Sequence, residues 1–346
     1  MTRIAVAGTG IIGRSHIELL RAGTGGTLSA IVDPAPAGEA LAREARVPWY
    51  RSLTELLAKD KPHGMVLATP NQLHLEQALA CIEAGVPMLL EKPITATVDE
   101  GERLLKEIEA KKARVLIGHH RAHGPNMAKA KEIVDSGKLG RIVAVIGACA
   151  FLKPDHYFDD GPWRREPGGG PILINMIHEV HNLRMLCGEI AEVQAISSNA
   201  VRGFKVEDTV AISLRFRSGA LGSFLLSDVA ASARNWEHTS RENPAYPHYD
   251  DEDSLIVCGT HGSLSVPTMR MKSYPDEAGR SWWKPFRQSK EEVQRDDPLR
   301  LQMLHFAAVV RGEAEPKVSA RDGLANLRVT EAIVEAAKSG RTVVLP

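Results

Sequence analysis

The chain has 346 residues with 43% hydrophobic character, ordinary globular usage at a length that exceeds one compact core and predicts two domains. Its 43 Lys plus Arg balance 43 Asp plus Glu, which excludes the basic excess of a nucleic-acid or anionic-membrane binder and leaves a small molecule or a second copy of the chain as the expected partner. Cys81, Cys149, Cys187 and Cys258 stand far apart with no CxxC spacing, against a disulfide framework or zinc site, and with no signal-peptide pattern or membrane-length apolar run the expected compartment is the cytoplasm.

An apolar run at 4–7 ends at Gly8-Thr9-Gly10-Ile11-Ile12-Gly13, and residues 14–22 continue with helical spacing. Strand, glycine turn and helix are the elements of a dinucleotide cradle: the first glycine makes the tight turn, the second admits a pyrophosphate to the backbone, and the third lets helix pack on strand. A second apolar strand at 28–32 ends in Asp33, where that motif expects an acid for the adenosine ribose. A carboxylate there accepts from two ribose hydroxyls and repels a 2'-phosphate, which favours NAD over NADP.

Helices follow near 37–45 and 52–59, then a strand at 64–68 that stops at Thr69-Pro70-Asn71, a helix at 74–84 closed by Gly85, and strands at 86–90 and 114–118. Strands alternating with helices predict a parallel, doubly wound sheet, whose ligands lie at the carboxyl ends of the strands. Those ends carry Gly8 to Gly13, Asp33, Thr69 to Asn71 and Glu91-Lys92-Pro93. After His119-His120-Arg121 the pattern changes, so residues 1–122 read as a dinucleotide-binding domain and 123–346 as a substrate-binding and oligomerisation domain.

In the second half, residues 171–186 have helical periodicity, with Leu173, Met176, Ile177, Val180 and Leu183 on one side and Asn175, His178 and Asn182 opposite. Taken alone, this predicts an amphipathic helix with a wet face, entered through the flexible Gly168 to Gly170 run with exposed backbone donors. Its HEVH spacing is not the HExxH of a zinc site, and no metal is expected. Runs at 141–151, 190–201, 208–216, 220–228, 254–258 and 263–266 alternate with period two and predict a large, mainly antiparallel sheet. Residues 231–253 read as a long polar loop. Trp236 is a candidate to stack on a sugar or to pack a core edge, and Trp282 and Trp283 read as packing residues. Helices near 299–311 and 320–338 close the chain.

The glycine turn, Thr69-Pro70-Asn71 with His74, Glu91-Lys92-Pro93, Ser136-Gly137-Lys138-Leu139-Gly140, Trp163-Arg164 through Gly170, and residues 259–267 together resemble the glucose-fructose oxidoreductase / inositol dehydrogenase (Gfo/Idh/MocA) family. The resemblance implies an α/β protein, a Rossmann domain followed by an α+β domain, acting as an NAD(P)-dependent oxidoreductase on a secondary hydroxyl of a polyol, sugar or sugar acid. It places Lys92 between nicotinamide and substrate. Thr69, Pro70, Asn71, His74 and Glu91 would line the cofactor, along with Gly8, Gly10, Ile11, Ile12, Gly13 and Asp33. Aligning the glycines puts the catalytic histidine on His178, a group suited to accept a hydroxyl proton near neutral pH. Asn175, His181, Trp163, Arg164 and Arg121 are the candidate substrate contacts.

The sequence departs from the family at Ile174 and His181, where the pattern has acids, so the substrate set is expected to differ from that of the inositol dehydrogenases. The departure also admits an alternative, a catalytically weak dinucleotide-sensing protein on the same scaffold. A methyltransferase, which shares the glycine turn, is opposed by the Glu91-Lys92-Pro93 segment. The resemblance further implies a homodimer or homotetramer joined through the second domain's sheet.

Overall fold

Six short strands lie side by side, all parallel, in the order Trp49–Tyr50, Thr27–Val32, Arg3–Ala7, Gly64–Leu67, Met88–Leu90, Val115–Ile117. Their central residues are apolar on both faces and buried, as a sheet covered by helices on either side requires. The helices are Ile11–Arg21, Pro36–Ala45, Leu53–Lys59, His74–Glu83 and Val98–Lys111. Register pairs Ala7 with Val32 and with Leu67, and Leu90 with Leu67 and with Ile117, so these strand ends finish in one row. The Val98–Lys111 helix is absent from the periodicity reading because charged residues dominate it, although Thr97 caps it by accepting from the Glu100 amide.

The computed structural model describes residues 1–346 and divides into two compact units, Met1–His123 with Pro298–Leu327, and Gly124–Asp297 with Arg328–Pro346. The expected first boundary at 122/123 differs by one residue, but the expected second domain, 123–346, is not one unit. Residues 298–327 return to the first, where a Cβ on Gly25 would lie 2.9 Å from Ala307 and one on Gly64 would lie 2.6 Å from Val310. The Ile117 amide also donates to Val318 O at 3.0 Å and Arg114 Nη1 to Val309 O at 3.0 Å. Complementarity between distant segments decides this, and no local pattern encodes it.

The second unit is built on a nine-stranded sheet in the order Arg287–Lys290, Arg270–Ser273, Gly262–Val266, Leu255–Gly259, Ile142–Ala150, Leu221–Ser227, Thr209–Phe216, Ile190–Ser198, Val343–Val344. Neighbours are antiparallel except Ile142–Ala150 with Leu221–Ser227. The alternation predicted for 208–216 holds: Val210, Ile212, Leu214 and Phe216 are buried, and they share a core with Met176, Val180, Leu183 and Leu186 of the helical segment that follows the glycines. On the other face Ile146, Ile196 and Leu225 are exposed.

That helical segment corrects two expectations. Residues Ile172–Met176 form a turn of π-helix before the α-helix Ile177–Cys187, so a uniform 100° projection misplaces everything before Ile177. The supposed wet face is only partly wet: Asn175 and His178 are half-buried, while Asn182 is buried, as are His181 and Glu179. Two of the three glycines that precede it are close-packed: a Cβ on Gly169 would lie 2.3 Å from Trp163 O and one on Gly170 2.4 Å from the Glu207 carboxylate, which accepts the Ile172 amide at 2.9 Å. The Gly169 amide donates to Glu166 O at 2.9 Å, and Gly168, at a φ of +94°, has open space.

Of the tryptophans, Trp236 takes the packing alternative, while Trp282 and Trp283 reverse the expectation. Trp236 opens a short helix, Trp236–Ser240, inside the predicted loop and is buried, with Nε1 donating to Glu242 at 2.7 Å. Trp282 and Trp283 are 85% and 82% exposed, packed edge to face on each other in the connection between the Arg270–Ser273 and Arg287–Lys290 strands. No helix is long and apolar enough to cross a membrane.

Candidate functional site

In the first unit the glycine turn separates into two kinds of position. Gly8 has φ of +92°, and a Cβ there would lie 2.4 Å from Ala68 O; a Cβ on Gly13 would lie 2.1 Å from Gly8 O. Both are glycine because strand and helix meet there. Gly10 is different: a Cβ on it would meet nothing within 4 Å. It precedes the Ile11–Arg21 helix, whose start has no side-chain cap, and Ile11 is 76% exposed. The open backbone at a helix start, with uncapped N–H groups and a positive dipole end, fits the pyrophosphate of a dinucleotide.

Asp33 follows the neighbouring strand and faces this turn. Its Oδ2 accepts from the Thr9 amide at 2.8 Å and from Thr9 Oγ1 at 2.7 Å, while Oδ1 accepts from the Ala35 amide at 2.9 Å. These donors hold the carboxylate in place and leave lone pairs for ribose hydroxyls.

At the next strand ends, Thr69 Oγ1 donates to Gln77 Oε1, and Pro70 leads into a short 3-10 turn from Asn71. His74 is buried, with Nδ1 2.8 Å from Pro93 O and Nε2 3.0 Å from Thr69 O. Both ring nitrogens face main-chain carbonyls, so the ring braces two strand-end loops. Burial holds its pKa below the ordinary value, against the pull of those carbonyls.

Glu91 lies 2.8 Å from His16 Nε2 and accepts from the Lys92 amide at 3.2 Å; a Cβ on Gly118 would lie 2.6 Å from Oε2, so a glycine makes room for it. Burial alone would raise its carboxyl, but the His16 ring and the charges of His120 and Lys92 outweigh that and hold it below the usual carboxylate range. Lys92 is half-buried beside it, and Arg121 is buried in a 3-10 turn, His120–His123, after the last strand. The structure therefore brings Gly8 to Gly13, Asp33, Thr69 to Asn71, Glu91 and Lys92 to one edge of one sheet.

In the second unit the π turn delivers the Asn175 side chain to a polar partner. Asn175 Oδ1 accepts from Lys153 Nζ at 2.7 Å. Lys153 follows the Ile142–Ala150 strand and is only 7% exposed, with Asp228 Oδ2 3.8 Å from its ammonium and the rings of Phe151 and Tyr157 at 5.5 and 5.0 Å. Asp228 is itself bonded to Arg202, Nε to Oδ1 at 2.9 Å. Burial pushes Lys153 down to about 8. Sequence reasoning missed it, since one lysine beyond a strand carries no local mark of burial.

Arg164 stacks on the same Tyr157 ring at 3.8 Å, donates to Tyr157 O, and lies 5.4 Å from the ring of the exposed Trp163. Asn175, Trp163 and Arg164 are thus linked through Lys153 and Tyr157. His178 is half-buried three residues after Asn175, whereas His181 is buried. Nowhere do three His, Cys, Asp or Glu side chains come together to hold a metal ion.

Comparison with known proteins agrees with this architecture. Residues 2–119 match the model of an oxidoreductase family with an NAD-binding Rossmann fold, and residues 127–265 match the Gfo/Idh/MocA C-terminal domain. A 1,5-anhydro-D-fructose reductase of Ensifer adhaerens is 28% identical over 99% of this chain and 98% of its own. An inositol 2-dehydrogenase of Rhodococcus erythropolis is 32% identical over 57% of this chain and 56% of its own. Among solved structures, the WlbA dehydrogenase of Bordetella pertussis, in complex with NADH and UDP-GlcNAcA, superposes with a TM-score of 0.79 at 24% identity over 99% of this chain and 98% of that one. An oxidoreductase of Agrobacterium radiobacter, with NAD+, L-tartaric acid and magnesium, does so with 0.83 at 17% identity over 99% and 98%. Both halves of the chain fit, and it belongs to the Gfo/Idh/MocA oxidoreductase family, an enzyme built on an NAD-binding Rossmann fold.

Proposed function

We propose that this chain is an NAD-dependent oxidoreductase interconverting a secondary hydroxyl and a ketone on a polyol, sugar or sugar acid. The observation that carries the reading is the open Gly10 backbone at an uncapped helix start, in one row with Asp33, Thr69 and Lys92. Gly8 to Gly13, with Ile11 and Ile12, would hold the pyrophosphate. Asp33 would hold the ribose and disfavour the 2'-phosphate of NADP, and Thr69, Pro70, Asn71, Glu91 and Lys92 would line the remaining length, with His74 bracing their loops.

A bound NAD would supply the hydride acceptor for the carbinol carbon. In this reading the hydroxyl proton passes to the His178 imidazole as the carbon becomes a carbonyl, and Lys92 donates a hydrogen bond to the substrate oxygen. In reduction the proton returns from His178. The curated relatives support the substrate class, since their names are those of inositol dehydrogenases and a sugar reductase.

The exposed apolar residues of the large sheet, Ile146, Ile196, Leu221 and Leu225, support a homodimer or homotetramer formed through that face. The second reading, dinucleotide sensing with little or no turnover, is favoured by the missing carboxylate at Ile174, beside which the neighbouring Asn175 carries no charge. A screen of polyols, sugars and sugar acids with NAD and NADP, following absorbance of the reduced nicotinamide, tests the proposal. Turnover with NAD is expected; firm NADH binding with no turnover on any compound would select the sensing reading.

A further inference from the structure

We infer that Lys153 anchors an anionic substituent of the substrate, a carboxylate, so that the substrate is a sugar acid and not a neutral polyol. The inference deepens the oxidoreductase reading above and takes from it that the ligand of this unit is the substrate.

The ammonium is 7% exposed and has three donors. One goes to Asn175 Oδ1 at 2.7 Å, a neutral acceptor that does not balance the charge. The nearest acid, Asp228, keeps Oδ2 3.8 Å away, beyond hydrogen-bond reach, and its other oxygen accepts from Arg202 Nε at 2.9 Å. Arg202 is further tied through Nη2 to Lys153 O at 2.8 Å and Asp228 O at 2.6 Å, so it competes with Lys153 for the Asp228 charge, while the exposed Asp155 lies 3.6 Å from its Nη1. Asp208 commits Oδ2 to the main-chain amides of Val201 and Arg202.

The groups acting on Lys153 are therefore one acid shared with Arg202 and the Cys149 thiol, against two cations, Arg164 and Arg202. The faces of Phe151 and Tyr157, at 5.5 and 5.0 Å, attract the cation, but cation–π contacts recover only part of the hydration a buried ammonium loses. An incoming carboxylate supplies both the missing acceptor and the missing charge. The lowered pKa of Lys153 reports the same imbalance. The position is also apt: Asn175 precedes His178 by three residues on one continuous helical segment, so a carboxylate held there belongs to the same ligand whose hydroxyl His178 is assigned to deprotonate.

The test is calorimetric titration of the NADH-saturated protein with matched pairs: D-gluconate and D-glucitol, D-glucuronate and D-glucose, L-tartrate and L-threitol. Wild type, Lys153→Met and Lys153→Arg are compared. Wild type should bind at least one acid about 10- to 100-fold tighter than its neutral partner, as a desolvated charge pair allows. Lys153→Met should erase that preference with NADH affinity kept and melting temperature not lowered, and Lys153→Arg should restore part of it.

No acid preference in wild type would overturn the inference, as would a Lys153→Met variant that weakens acid and neutral partner alike or loses melting temperature with the preference intact. An acid bound through Lys153 without any nicotinamide turnover would support the anchor and overturn the proposed oxidoreductase function instead.

Discussion

Lys153 Nζ lies 2.7 Å from Asn175 Oδ1, and that bond ties the end of a central sheet strand to the π turn that launches the His178 helix. It joins residues 22 apart in sequence. The ammonium involved is desolvated, with its nearest acid engaged elsewhere, which has consequences for stability as well as for binding.

Burial lowers Lys153 from its ordinary 10.5 to about 8, so below pH 8 the folded state holds a charge it would shed more readily than the unfolded chain. Between about 8 and 10.5 the unfolded lysine keeps a proton that the folded one has released, and stability attributable to this group rises with pH. Lys153→Met should therefore raise unliganded stability at pH 7 by about 1–3 kcal/mol, the scale set by the lowered pKa less the lost Asn175 hydrogen bond. Chemical denaturation at pH 7 and pH 10 reads this, with the gain shrinking at the higher pH.

Two glycines three residues apart should behave in opposite ways. Gly13→Ala drives a methyl to 2.1 Å from Gly8 O and should cost about 2 kcal/mol or more in denaturant melts. Gly10→Ala has open space and a φ of −68°, so the fold should keep its melting temperature. Its NADH affinity, read by fluorescence titration, should fall by about tenfold or more because the added methyl occupies the approach to the backbone.

His74, held neutral by burial, is protonated more easily in the unfolded chain, whose ordinary pKa is 6.5. A depressed folded pKa means that its stabilising contribution is complete above 6.5 and is lost as pH falls through and below that value. His74→Gln keeps one hydrogen bond to a carbonyl and cannot titrate, so the fall in melting temperature from pH 7 to pH 5.5 should be smaller in the variant than in wild type.

If His178 is the acid/base group, His178→Ala should lower kcat by about 100-fold or more while NADH binding is unchanged, in line with loss of general acid–base catalysis. Lys92→Met should lower kcat and raise KM together, since that side chain is assigned to the substrate oxygen. Near-normal steady-state rates in His178→Ala would move the proton chemistry to another group.

Much of the first unit was legible in the chain itself. Gly8, Gly10 and Gly13, the polar residues at 33, 69–71 and 91–92, and the two-residue period of 208–216 are local patterns, and backbone sterics and side-chain alternation translate local patterns directly into turns, strand ends and buried faces. What the tertiary structure alone decided is non-local. Trp236 went inside and Trp282 and Trp283 outside, residues 298–327 joined the first unit, and one extra residue in a π turn put Asn175 in reach of Lys153. Burial and charge compensation depend on which distant segments meet, and a lysine's pKa, a tryptophan's exposure and a helix's register are set by those neighbours.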